Sequence, residues 1–200
     1  MDRLVLASNN AGKLFELRAL FAPLRLALVR QGELGVPEAE EPFSTFVENA
    51  LVKARNAAQH TGLPAIADDA GLCVDAFGGR PGVHTAHYAT QFGYLKGDDN
   101  NVKALLEQMR GISQRRAALV STLVAVRTPD DPEPQIAVGR VVGEIARNPR
   151  GDNGFGFDPV MYIARFDKTF AELPADVKNA HSHRGQAARQ MVELIRERWL

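Results

Sequence analysis

Two adjacent carboxylates interrupt an apolar run at Ala65–Leu72, AIADDAGL. Neighbouring negative charges at the end of a buried segment suit either a polar turn or a metal-dependent site at a strand end. Successive strand residues face opposite ways, so one of Asp68 and Asp69 addresses a given pocket while the other orients backbone or a lysine. Sites in α/β folds collect at the carboxyl ends of strands. Oxygen ligands with few protein contacts suit Mg2+ held partly by a phosphate. The acidic run EAEE, with Glu38, Glu40 and Glu41, offers a second carboxylate from a loop, or else a solvated charge run.

Other stretches carry complementary chemistry. SNNAGK (Ser8–Lys13) falls between an apolar run and a helical one. Helix N-terminal N–H groups attract anions, Gly12 permits close approach and Lys13 adds a positive charge. This is not a Walker A loop, because position 7 is Ala and position 14 is Leu; the alternative is a plain turn. In ENALVK, Asn49 and Lys53 share a helix face at i and i+4, either in a site or in solvent. GFGFDP (Gly154–Pro159) alternates Gly with Phe, giving either two rings exposed as a stacking platform for a flat base or two core side chains. KNAHSHR gathers Lys178, His181, His183 and Arg184 at or before a helix start, donors suited to base carbonyls or phosphate. Two His at i and i+2 do not fit a helical zinc site. Cys73 and His60 read as packing and surface residues.

The elements that must position these groups follow from periodicity. Arg3–Ser8 is a short buried strand, and the following KLFELRALFAPL places Leu14, Leu17, Leu20 and Phe21 on one helix face. Thr45 and Glu48 form a capping box that opens a second helix, closed near Gly62 with Pro64 beyond. PAIADD is a strand that ends at the paired carboxylates, and AFGGRPGVHTAHYA is a loop punctuated by Gly and Pro. Asp98–Gly111 reads as a capped helix. RRAALVSTLVAVRT and QIAVGRVVGEIAR, joined by PDDPEP, form a long β-hairpin. NPRGDNGFGFDPVMYI is a Gly-rich loop running into a strand. The final stretch from Ser182 is an amphipathic helix with Met191, Leu194 and Ile195 inward. The expected fold class is α/β with a mixed sheet, since a hairpin forces antiparallel pairing beside βα units.

Composition narrows the field further. Two hundred residues suit one domain or one two-lobed unit. Lys+Arg and Asp+Glu balance at 24 each, so no global field recruits nucleic acid or a membrane surface. A single cysteine excludes an intrachain disulfide. No apolar run is long enough for a signal peptide or a membrane span, which makes the cytoplasm the expected compartment.

Taken in order, SNNAGKLFEL, TFVENALVKA, AIADDAGLCVDAFGGRPGV, GFGFDP and KNAHSHRGQA resemble the inosine/xanthosine triphosphate pyrophosphatase family, over nearly the whole chain. The resemblance implies one domain over residues 1–200, a two-lobed α/β/α unit around a long mixed sheet, with the active site in the cleft between lobes. It further implies a homodimer, a purine nucleoside triphosphate as substrate and Mg2+ as cofactor. Ser8, Asn9, Asn10, Ala11, Gly12, Lys13 and Lys53 would then hold the triphosphate. Asp69 would be the general base and a metal-linked carboxylate, joined at the metal by Glu40. Phe155, Gly156, Phe157, Asp158, Lys178, His183 and Arg184 would surround the base, and Ala70 would adjoin the substrate.

Two positions depart from the family pattern: Ala70 stands where Ser is usual, and His87 where Arg is usual. They motivate one alternative, a nucleotide-binding protein without turnover. A second is a Maf-like pyrophosphatase of modified pyrimidine nucleotides, against which the SHR block after KNA argues. The reading favoured by the resemblance is hydrolysis of ITP, dITP and XTP to monophosphate and pyrophosphate.

Overall fold

The structure is a computed structural model that describes all 200 residues. Twelve regular elements follow in order: β1 (Arg3–Leu6), α1 (Ala11–Phe21), β2 (Ala27–Arg30), α2 (Phe46–Thr61), β3 (Ala65–Val74), α3 (Asp98–Gln108), β4 (Arg116–Val126), β5 (Gln135–Ile145), β6 (Met161–Ile163), β7 (Lys168–Thr169), α4 (Ala175–His181) and α5 (His183–Trp199). One sheet takes the strand order β2-β1-β3-β4-β5-β6-β7. β1 pairs in parallel with β2 and β3, whereas β5–β6 and β6–β7 are antiparallel, so the sheet is mixed as expected. No helix is long and apolar enough to cross a membrane.

The chain divides into two compact units: residues 1–69, 121–139 and 183–200 form the first, and residues 70–120 and 140–182 the second. In the first unit the side-chain alternation of β1 sorts the core onto two sheet faces. Leu4 and Leu6 pack with Leu17 and Phe21 of α1 and with Met191 and Ile195 of α5. Val5 and Ala7 pack with Ala50, Ala54 and Ala57 of α2. Small residues along α2 let its backbone sit close to the sheet. Thr45 caps this helix by accepting from the Glu48 amide, its hydroxyl donates to Glu48 Oε2 at 2.5 Å, and Gly62 closes it at φ 66°.

In the second unit the core gathers Leu72, Val74, Leu105, Met109, Val160, Met161 and Phe170. β5 alternates buried and exposed positions, leaving Ile136, Val138 and Val142 outward, whereas β4 is buried almost throughout.

The structure departs from the sequence reading in several places, including an unforeseen strand β2. β3 does not end at the carboxylates but runs on to Val74, so Asp68 and Asp69 lie mid-strand. The stretch Gly82–Phe92 is a kinked 3-10 segment rather than an open loop. Asn101 pins it, accepting from the Ala89 amide at 2.8 Å and donating to the Ala86 carbonyl at 3.2 Å. Lys178 and His181 belong to a separate short helix, α4, and only His183 and Arg184 start α5.

Candidate active site

The first unit brings together residues from six separate stretches. Asn10 caps α1, its side chain accepting from the Lys13 amide at 3.0 Å, and Ser8 accepts from the Asn10 amide at 3.2 Å. Ser8, Asn9 and Asn10 thus form the turn at the helix N-terminus, with Ala11 and Gly12 opening the helix. Asn9 donates to Glu38 Oε1 at 3.0 Å, tying this turn to the acidic loop. Lys13 and Lys53 converge on one backbone carbonyl, that of Asp68, at 2.9 and 3.5 Å.

The two aspartates do different work, as strand alternation requires. Asp68 is buried: Oδ1 accepts from the Ser121 hydroxyl at 2.6 Å and Oδ2 from Arg184 Nε at 2.8 Å, with Lys13 Nζ 3.4 Å away. Burial opposes its charge, but Arg184, Lys13 and Ser121 outweigh burial and hold the carboxyl well below the usual carboxylate range. Asp69 accepts from Lys53 Nζ at 2.9 Å through Oδ1, while Oδ2 is buried with no hydrogen-bond partner. Burial pushes its pKa up against the pull of Lys53 and Lys13.

The lysines diverge as well. Burial lowers the Lys13 ammonium pKa against the attraction of Asp68, and Lys53 and Arg184 add to the lowering. For Lys53 burial is again the largest influence, yet Asp69 and Glu41 together reverse it and raise the pKa.

Of the acidic run, Glu41 reaches Lys53 at 2.9 Å and Glu38 reaches Asn9, whereas Glu40 is exposed and makes no ion pair or hydrogen bond. Asn49, which the sequence placed on the Lys53 face, is buried. It clamps the Phe43 backbone, accepting its N–H at 3.1 Å and donating to its C=O at 3.0 Å. That clamp fixes the end of the loop carrying Glu41. Arg184 is buried between Asp68 and Glu16, the latter at 2.6 Å from its Nη1. Glu16 and Ser121 escaped the sequence reading. The only local signal for Glu16 is a charge on the same α1 turn as Lys13 (i+3).

The second unit holds a smaller arrangement. Gly154 adopts φ 75°, where only glycine fits, because a Cβ there would lie 2.1 Å from Asp158 Oδ2. Asp158 accepts the Phe155 amide at 2.9 Å and forms a short buried ion pair with Lys178. The Lys178 ammonium lies 5.0 Å from the centre of the Phe155 ring. Gly156 is anchored through its amide to Asp98 at 2.8 Å. Phe155 is half-buried, but Phe157 is in the core, in edge contact with Tyr88, so the Gly–Phe alternation exposes one ring rather than two. Ala70 is half-buried on β3 and His87 is exposed in the 3-10 segment.

A divalent cation fits the first unit's chemistry. The buried Oδ2 of Asp69 lacks a partner, and a carboxylate in that state calls for a cation or an unpaired-group penalty. No group of three or more His, Cys, Asp or Glu is placed to hold a metal ion.

Comparison with known proteins finds relatives over nearly the whole chain. A "dITP/XTP pyrophosphatase" of Paracidovorax citrulli is 76% identical over 98% of this chain and 99% of its own length. A HAM1 protein from Coxiella burnetii superposes with a TM-score of 0.89 at 44% identity, covering 98% of this chain and 100% of its own. The Ham1 protein of Staphylococcus aureus gives 0.85 at 36% identity, covering 98% and 99%. Pyrophosphatases of this family generally depend on a divalent metal. With the Ham1 family profile matching residues 4–194, the chain belongs to the Ham1 family.

Proposed function

We propose that this chain hydrolyses deaminated purine nucleoside triphosphates, ITP, dITP and XTP, to the nucleoside monophosphate and pyrophosphate. The observation that carries the reading is the half-satisfied Asp69. One oxygen is fixed by Lys53, and the other is buried and open to a cation or a water. High identity to relatives named dITP/XTP pyrophosphatase supports the substrate class.

In this reading the Ser8–Asn10 turn and the α1 amides receive phosphate oxygens, and Lys13 and Lys53 neutralise their charge. A water attacks the α-phosphorus, the bond from that phosphorus to the bridging oxygen breaks, and pyrophosphate leaves with the bond electrons. Asp69 either accepts the proton of the attacking water or holds the metal that acidifies that water. Mg2+, held by Asp69 Oδ2 and Glu40, would supply charge neutralisation at the phosphate oxygens.

For the base, the Phe155 ring offers a stacking face, while Asp158 and Lys178 set the ring's position and offer polar groups. His183 provides a donor to the purine C6 carbonyl, and Arg184 serves through Asp68 and Glu16, to which it is bound. Adenine carries an amino donor at C6, and facing it with donors leaves buried groups unpaired, so ATP is rejected. Guanine shares the carbonyl and is rejected through its 2-amino group. The enzyme works in the cytoplasm, where its nucleotide pool lies. It pairs as a homodimer, for which the outward β5 residues Ile136, Val138 and Val142 offer an apolar face.

Pyrophosphate release from a panel of nucleoside triphosphates, with and without Mg2+, tests the proposal. ITP, dITP and XTP should turn over well above ATP and GTP, and only with a divalent metal. Equal rates on ATP and ITP, or tight ITP binding with no pyrophosphate release, would overturn it.

A further inference from the structure

α1 is built against the usual rule for an amphipathic helix. Phe15 is 68% exposed, while the neighbouring Glu16 is 6% exposed beside buried Leu14 and Leu17. A buried carboxylate adds little stability even when paired, and an apolar side chain of similar size would hold the helix at least as well. Stability alone does not account for Glu16.

Its contacts lead back to its own helix. Glu16 Oε2 accepts from Arg184 Nη1 at 2.6 Å, Arg184 Nε donates to Asp68 Oδ2 at 2.8 Å, and Lys13 Nζ lies 3.4 Å from that same oxygen. Four charges alternate in sign along this line, which leaves α1 at Glu16 and returns to it one turn earlier at Lys13. Glu16, Arg184 and Asp68 are buried; the Lys13 side chain, at 16% exposure, is the open end.

We propose that Glu16 is a positioning residue for the phosphate tail. By holding one end of the Arg184 guanidinium, Glu16 keeps the other end on Asp68, and Asp68 so fixed holds the Lys13 ammonium beside the Ser8–Asn10 turn. Without the Glu16 charge the buried line carries a surplus positive charge, Arg184 loses its Glu16 partner, and the contact of Lys13 with Asp68 Oδ2 loosens, leaving Lys13 its bond to the Asp68 carbonyl at 2.9 Å. The inference deepens the proposed function and rests on Lys13 meeting phosphate.

A double-mutant cycle on binding of inorganic tripolyphosphate, read by titration calorimetry in magnesium-containing buffer, tests this. Glu16→Gln should weaken binding about tenfold and Lys13→Ala at least as much, while the double variant should bind within about twofold of Lys13→Ala. With ITP, Glu16→Gln should raise KM by a similar factor and leave kcat within about threefold, a split that partial unfolding does not produce. Should Glu16→Gln fail to fold, Ser121→Ala releases the other oxygen of Asp68 without stranding a charge, and its smaller loss should likewise vanish beside Lys13→Ala. Wild-type binding by Glu16→Gln, or an equal loss in the Lys13→Ala background, would overturn the inference. If wild type binds tripolyphosphate through Lys13 in the predicted cycle but does not cleave ITP, the function falls and the positioning role stands. If ITP is cleaved but the cycle shows no coupling, the reverse holds.

Discussion

Lys53 grips Asp69 by one oxygen only, at 2.9 Å, and leaves the other oxygen buried without a partner. Asp69→Asn keeps the shape but would remove the carboxylate proposed to act as base or metal ligand. Turnover of ITP should fall by about 10² to 10⁴, measured as pyrophosphate release at saturating Mg2+. Near-wild-type turnover would remove Asp69 from the chemistry.

The same carboxylate sets a stability response. Its folded pKa is raised, so its favourable contribution is complete below the ordinary carboxylate pKa and is lost as pH rises through the folded value. At neutral pH the charged form is a cost that a bound cation relieves. Mg2+ should therefore raise the melting temperature of wild type at pH 7 and leave Asp69→Asn nearly unmoved, as followed by thermal shift.

Asp68 behaves oppositely. Its pKa is lowered, so its contribution is present at neutral pH and is lost as pH falls below the ordinary carboxylate range. Asp68→Asn removes the carboxylate between Arg184 and Lys13 and should cost about 3–5 kcal/mol by urea denaturation at pH 7. The gap to wild type should narrow on acidification.

On the proposed reading, Asp158→Asn should separate base reading from phosphate binding. It weakens the buried Lys178 pair and the bond that seats Phe155. KM for ITP should rise about tenfold or more, while affinity for inorganic tripolyphosphate stays within about twofold.

Gly139 is required by space rather than by backbone angle. A Cβ at this position would lie 1.8 Å from the His183 carbonyl oxygen and 2.8 Å from the Ala187 amide, so α5 could not seat its first turn on β5. Gly139→Ala should destabilise the protein by about 3 kcal/mol or more in chemical denaturation.

Much of the fold was legible because its signals are local. The Thr45 capping box, the α3 and α5 periodicities and the hairpin lie within short windows, and each element was found within a few residues of its expected bounds. β2 and α4 were missed because four and seven residues carry too little periodic pattern. β3 was cut short because paired carboxylates resemble a strand end, and the cations that let them stay inside a strand come from distant stretches. Sequence order likewise joined Lys178 to Arg184, whereas Lys178 bonds Asp158 and Arg184 bonds Asp68 and Glu16. No local pattern announces a pair such as Glu16 and Arg184.

The contact between Glu16 and Arg184 spans 168 positions of sequence. A nascent chain emerging from the ribosome thus exposes SNNAGK early, with Lys13 untethered, and gains its ordered electrostatic centre only when α5 docks. Closures of such range come late in folding, so competence to capture nucleotide should report completed assembly rather than mere collapse.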